Sequence, residues 1–93
     1  MPKYVAEYTY LPDTAALRDE HRPAHRLWLH DGHEAGIVLA VGAFADGSGA
    51  LVIVNADDAE AAAEVLAHDP FALVGAIDET RVREWNCLYG PFA

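Results

Sequence analysis

Hydrophobic and polar positions change their period several times along the chain, and each change marks an element. Residues 3–10, KYVAEYTY, are rich in aromatic and β-branched types and free of Gly and Pro, which predicts a strand. Leu11-Pro12-Asp13 breaks it, and Asp13 or Thr14 is placed to cap a short helical turn over AALRDEH. Proline suits a first helical position and damages a helix interior, so the main helix is expected to run from Pro23 to about Glu34, ahead of Gly36. Ala24, Leu27, Trp28 and Ala35 then share one stripe at helical spacing, expected to face a sheet, with Trp28 and Leu29 in the core.

The apolar run 37–44, IVLAVGAF, has strand length, and ADGSG (45–49) is a turn signal leading into a second strand, 50–55. Asp57 or Asp58 opens an alanine-rich helix with carboxylates in its first turn, where the helix dipole favours them. Pro70 ends that helix, since the residue before a proline is pushed out of the helical region. From Asp78 to Leu88 the alternation predicts a long last strand, in which Cys87 reads as a buried, inert thiol.

Strand, helix, strand, strand, helix, strand is the split βαβ order of an α+β, ferredoxin-like βαββαβ domain. It implies a four-stranded antiparallel sheet with two helices on one face. A crossover helix makes the first two strands parallel with a gap between them. The hairpin strand fills the gap, and the last strand pairs on the far side of the first. In this arrangement the start of the first helix lies beside the end of the second. HRPAH (21–25) and HDPF (68–71) become neighbours, with His25 near Asp69 and with Tyr10 and the 45–49 hairpin at the same sheet edge.

A carboxylate beside an imidazole fixes its tautomer and favours its charged form, while a helix start favours the neutral one; such opposed pulls suit a general acid or base. The plainer alternative is that Asp69 caps a turn or bonds backbone near Phe71, and His25 is a partly buried helix residue. Arg22 can orient a substrate carboxylate or phenolate, or pair with Glu20 or Asp69. Tyr8 and Tyr10 alternate onto one strand face as pocket or interface lining, Tyr10 being also a candidate proton donor.

The length of 93 residues suits one domain spanning 1–93 and only modest stability alone, so oligomerisation would help it. The net charge of −9 disfavours nucleic acid and anionic membranes as partners. One cysteine excludes an intrachain disulfide, and no stretch has the length of a membrane span or signal core, so a soluble, cytoplasmic protein is expected. His21 and His25, like His30 and Glu34, are four apart. Pro23 is expected to place His21 outside the helix, and neither HExxH nor a cysteine cluster supports a metal site. His30 and His33 read as an exposed helix end. No phosphate loop or nucleophile elbow is present.

At these residues the chain resembles the YCII-related (YciI-like) family. The resemblance rests on Arg22-Pro23 with His25, on Gly36 and Gly42 flanking the second strand, on Asp69-Pro70-Phe71 with Gly75, and on Arg83-Glu84-Trp85. It implies a dimeric α+β barrel type, in which two sheets pack face to face in a homodimer. It also implies a cofactor-free His25–Asp69 pair as catalytic residues, with Arg22, Tyr10 and Phe71 around a small-molecule substrate. Dechlorination of a chlorinated hydroxyquinol and muconolactone isomerisation among such proteins point to proton transfer on small cyclic compounds. Many relatives have Gly-Pro after the second strand. Here Ala43-Phe44 follows Gly42, which leaves the substrate open. The rival to an enzyme is a non-catalytic dimeric module that binds a metabolite or a partner chain, its His–Asp pair a structural tie.

Overall fold

The computed structural model describes residues 1–93, and its four strands form one antiparallel sheet in the order β2-β3-β1-β4. These are β1 (Lys3–Thr9), β2 (Val38–Ala43), β3 (Gly49–Asn55) and β4 (Glu79–Trp85). The helices are α1 (Ala15–Glu34), α2 (Ala59–Ala67) and the short α3 (Pro70–Leu73), with a 3₁₀ turn at Pro12–Thr14. This is the ferredoxin-like α+β arrangement expected from the order of elements.

Alternation along β1 sorts the sheet into two faces. Tyr4, Ala6 and Tyr8 are buried, opposite Val54, Val52 and Ala50 of β3, and they form the core with Ala62 and Leu66 of α2. The opposite set, Val5, Leu51, Ile53, Arg83 and Trp85, lies along a shallow groove on the other face. At Gly49 a side chain is impossible: a Cβ there would overlap the carbonyl oxygen of Tyr8, so the hairpin can close against β1 only with glycine. Asp58 caps α2 by accepting from the Ala61 amide at 2.7 Å.

Four expectations need correction. First, α1 begins at Ala15, so Pro23 and His21 both lie in its interior. Residues on either side of the proline are good helix formers, and Pro23 and Asp19 are exposed, so the Asp19 carbonyl that loses its donor can bond water. Second, Ala24, Leu27 and Ala35 face outward. The buried stripe is Arg18 and His25, with Trp28 and Leu29 partly covered against the core. Third, the two expected helices become three: Pro70 ends α2 as expected, and it also starts the short α3, as a proline at a first helical position can. Fourth, β4 stops at Trp85, the partner of Lys3 at the start of β1; the residue before Lys3 is Pro2, which has no amide hydrogen with which to extend the ladder. Cys87 therefore lies beyond the strand, half-buried, with its thiol donating to the Tyr89 carbonyl.

Candidate active site

Asp69 is the best-buried charged residue, at 0% exposure, and three elements converge on it. As N-cap of α3 it accepts the Phe71 amide on Oδ1 at 2.9 Å. The same oxygen lies 2.6 Å from His25 Nδ1 of α1, and Oδ2 accepts the Tyr8 hydroxyl of β1 at 2.9 Å. Local cap and His–Asp pair, posed as alternatives by the sequence, occur together. An ionised carboxylate only accepts, so Nδ1 carries the proton toward Oδ1, and in the neutral ring Nε2 holds the free lone pair. No buried side-chain nitrogen or oxygen lacks a partner, so Nε2, which has none, reaches the surface. His25 lies in mid-helix, so the helix-start field expected to oppose Asp69 does not act on it.

The imidazole is also held from its face. Phe71 stacks on it with centroids 3.8 Å apart and planes 6° from parallel, and the Tyr10 ring meets Phe71 edge-on at 6.0 Å. Arg18 lies 4.4 Å over the centroid of Tyr10 while donating to the carbonyls of Leu11 and Ala76. Phe71 is only 2% exposed, so its ring is spent mainly on orienting His25.

Burial, then the charge and hydrogen bond of Asp69, push the Tyr8 hydroxyl far above its ordinary value. Burial first and the Asp69 charge second push Tyr10 up to about 12, with Arg18 and Arg22 pulling it back. Unfolded tyrosines ionise near 10 while the folded ones keep their protons. Stability is therefore intact below about pH 10, falls as the pH rises beyond it, and the Tyr10 contribution is lost past about 12. Melting temperatures taken from about pH 8 to 12 should be level at first and then drop, with a shallower drop in Tyr8→Phe. An equally steep drop in that variant would show that Tyr8 is not responsible.

A cleft of about 270 Å³ opens over this network, lined by Tyr10, Arg22, His25, Arg26 and Leu29 on one side and by β2 residues Val41–Ala43 with Ala50 on the other; Phe71 completes it. Four of the five expected site residues thus line one cavity, and Asp69 sits behind His25. Gly42 and Ala43 form part of that wall. Arg22 pairs with neither Glu20 nor Asp69; its Nη1 donates to Asp19 at 2.6 Å, one turn back on the helix. His33 is more than a solvated helix end, since its Nδ1 lies 2.8 Å from the Val38 carbonyl and ties α1 to β2. His21 approaches only Glu20, at 3.8 Å.

Sequence reasoning missed two participants. Tyr8 was expected only as lining. The strand alternation that buries Tyr4 and Ala6 also directs it inward, and burial demands a partner for its hydroxyl. Arg18 gave no signal for this role, because its acceptors are the Thr14 hydroxyl and two backbone carbonyls, one of them far along the chain.

A family model described as the YCII-related domain matches residues 2–86. None of the curated proteins matches the sequence. Among solved structures, 5-chloro-2-hydroxyhydroquinone dehydrochlorinase from Burkholderia phenoliruptrix, in complex with 2,5-dihydroxybenzoquinone, superposes with a TM-score of 0.78 at 18% identity, over 90% of this chain and 93% of that one. An antibiotic biosynthesis monooxygenase gives 0.61 at 17% identity, over 96% and 100%. An Arabidopsis thaliana protein gives 0.54 at 17% identity, over 97% and 98%. The neighbours are of the dimeric α+β barrel type, so at these identities the likeness establishes the fold.

Proposed function

The chain belongs to the YCII-related domain family, and from that premise we propose that it is a cofactor-independent enzyme that moves protons on a small cyclic or carboxylated substrate. The observation that carries the reading is the His25 imidazole, which lines an open cleft, is held at Nδ1 by a fully buried carboxylate and has no protein partner at Nε2. Nε2 takes a proton from the substrate, and Asp69 stabilises the imidazolium that forms. In an elimination the electron pair left behind forms a new π bond, and chloride or another leaving group departs with its own bonding pair. In an isomerisation the imidazolium returns the proton to a different carbon. Neither course needs an oxidant. Arg22, Tyr10 and Phe71 bound the space the substrate would occupy.

The dehydrochlorinase neighbour supports a halogenated hydroxyquinol as the first compound to try. Incubation with 5-chloro-2-hydroxyhydroquinone and with unsaturated lactones should yield free chloride, or incorporation of solvent deuterium read by NMR. A panel giving neither would sink the reading. The Asp69 bond to the Phe71 amide favours one rival, a module that binds a metabolite or partner and in which the pair fastens helix to sheet. On that view Asp69→Asn costs stability and removes no reaction.

The homodimer belongs to the same proposal. Val5, Leu51, Ile53 and Trp85 give the uncovered sheet face an apolar centre on which a second copy can seat. Leu51→Asp would bury a carboxylate twice across a two-fold axis, each costing more than the roughly 1–3 kcal/mol of an unpaired neutral polar group, and should weaken association at least about tenfold. Light scattering over a dilution series checks this; an unchanged mass would place the interface elsewhere.

A further inference from the structure

The cleft reverses the electrostatics of the rest of the molecule. The chain carries a net charge of −9, yet the cleft lining includes Arg22, His25 and Arg26 and no carboxylate. Asp69, behind His25, is fully buried, and both its oxygens are occupied by protein donors. The two guanidinium groups at the mouth are not equivalent. Arg22 is committed to Asp19 at 2.6 Å. Arg26 makes no ion pair, and the positions three and four away on its helix are Arg22, Pro23, Leu29 and His30, none of them acidic. It stands beside an apolar wall of Leu29, Val41 and Ala43. A volume of about 270 Å³ is small beside the pockets that hold drug-sized ligands, and it matches a single substituted ring.

We propose that the cleft selects a monocyclic anion, a ring bearing a carboxylate or phenolate, and that Arg26 is the residue that binds its charge while the ring lies against the Leu29–Val41 wall within reach of His25. This rests on the reading of the cleft as a substrate site and deepens it. Arg22 is left a secondary role, because engaging a ligand would require it to give up Asp19. A guanidinium-to-carboxylate contact is charge-assisted and planar, so glutamine cannot replace it.

The test is a titration of the full chain with benzoate and, separately, with benzyl alcohol at fixed ionic strength, followed by NMR of the histidine rings and of the leucine and valine methyl groups. Benzoate should shift His25, Leu29 and Val41 and bind at least about tenfold more tightly than benzyl alcohol, a difference of about 1.4 kcal/mol. Arg26→Gln, at an exposed position that leaves the fold intact, should erase that preference without changing the alcohol, whereas Arg22→Gln should keep most of it. Equal binding of the two rings, or a benzoate preference that survives Arg26→Gln, overturns the assignment. So does the absence of shifts with either ring. Turnover in the chloride or deuterium assay would stand in any of these cases, so failure here and failure of the proposed chemistry are separately visible.

Discussion

Replacing Asp69 with alanine should destabilise the protein by about 3–5 kcal/mol, the cost of breaking a buried, hydrogen-bonded charge pair. For a domain of this length that corresponds to a fall in melting temperature of roughly 15 °C or more. The change strips acceptors from three donors at once: the Phe71 amide, His25 Nδ1 and the Tyr8 hydroxyl. Each is then buried without a partner, and a cavity is added. Asparagine is the informative comparison. Its oxygen can still accept from His25 and Phe71, and its amide can donate to Tyr8, whose hydroxyl can turn to accept. Asp69→Asn should therefore keep the fold at a much smaller cost while removing the charge behind the imidazole. Thermal melts of the two variants beside the parent decide the matter. If the alanine variant melts within a few degrees of the parent, the carboxylate is not the tie described above.

Replacing His25 with asparagine should lower turnover by about 10²–10⁴-fold, the usual worth of a positioned acid or base, and leave the fold nearly untouched. The asparagine amide nitrogen can occupy the place of Nδ1 and keep the bond to Asp69, while nothing takes the place of Nε2. The loss in stability is then confined to the stacking against Phe71, about 0.5–1.5 kcal/mol. Alanine is a poorer probe than the sequence alone implies. His25 is only 9% exposed, and its removal leaves Asp69 short of a donor, so folding and chemistry would be lost together. Rates on whichever compound proves to be turned over, measured beside melting curves, separate the two. A variant whose rate stays within tenfold of the parent would remove His25 from the chemistry.

The meeting of His25 with Asp69 was legible because it follows from connectivity. Two crossover helices on one face of a four-stranded sheet bring HRPAH and HDPF together, although α1 starts at Ala15, so Asp69 meets the middle of α1 and not its first turn as expected. The start of α1 was not legible. Pro23 carries a strong local rule, and the rule yields because its cost falls on an exposed turn while Arg18 and His25, on the inner side, gain buried partners. Apolar periodicity placed Leu27 inward for a related reason. It assumes that a buried helix face is apolar, and here the inward positions include an arginine and a histidine that bond to groups distant in sequence. The end of β4 depends on where β1 begins, which the alternation within 78–88 cannot report. Among the site residues, Tyr10, Arg22 and Phe71 line the cavity, whereas the hydroxyl of Tyr8 could be assigned a partner only once Asp69 was seen beneath it.

Asp69 belongs at once to helix, sheet and turn, and this limits how the protein can move. A hydrogen-bonded hub joining α1, β1 and α3 gives the floor of the cleft no separate opening motion. Freeing the Phe71 amide to exchange with solvent requires parting the same contacts that hold the whole cooperative unit together. Any adaptation to an incoming molecule is left to the long side chains at the mouth, so the His25 ring keeps its orientation whatever the rim is doing.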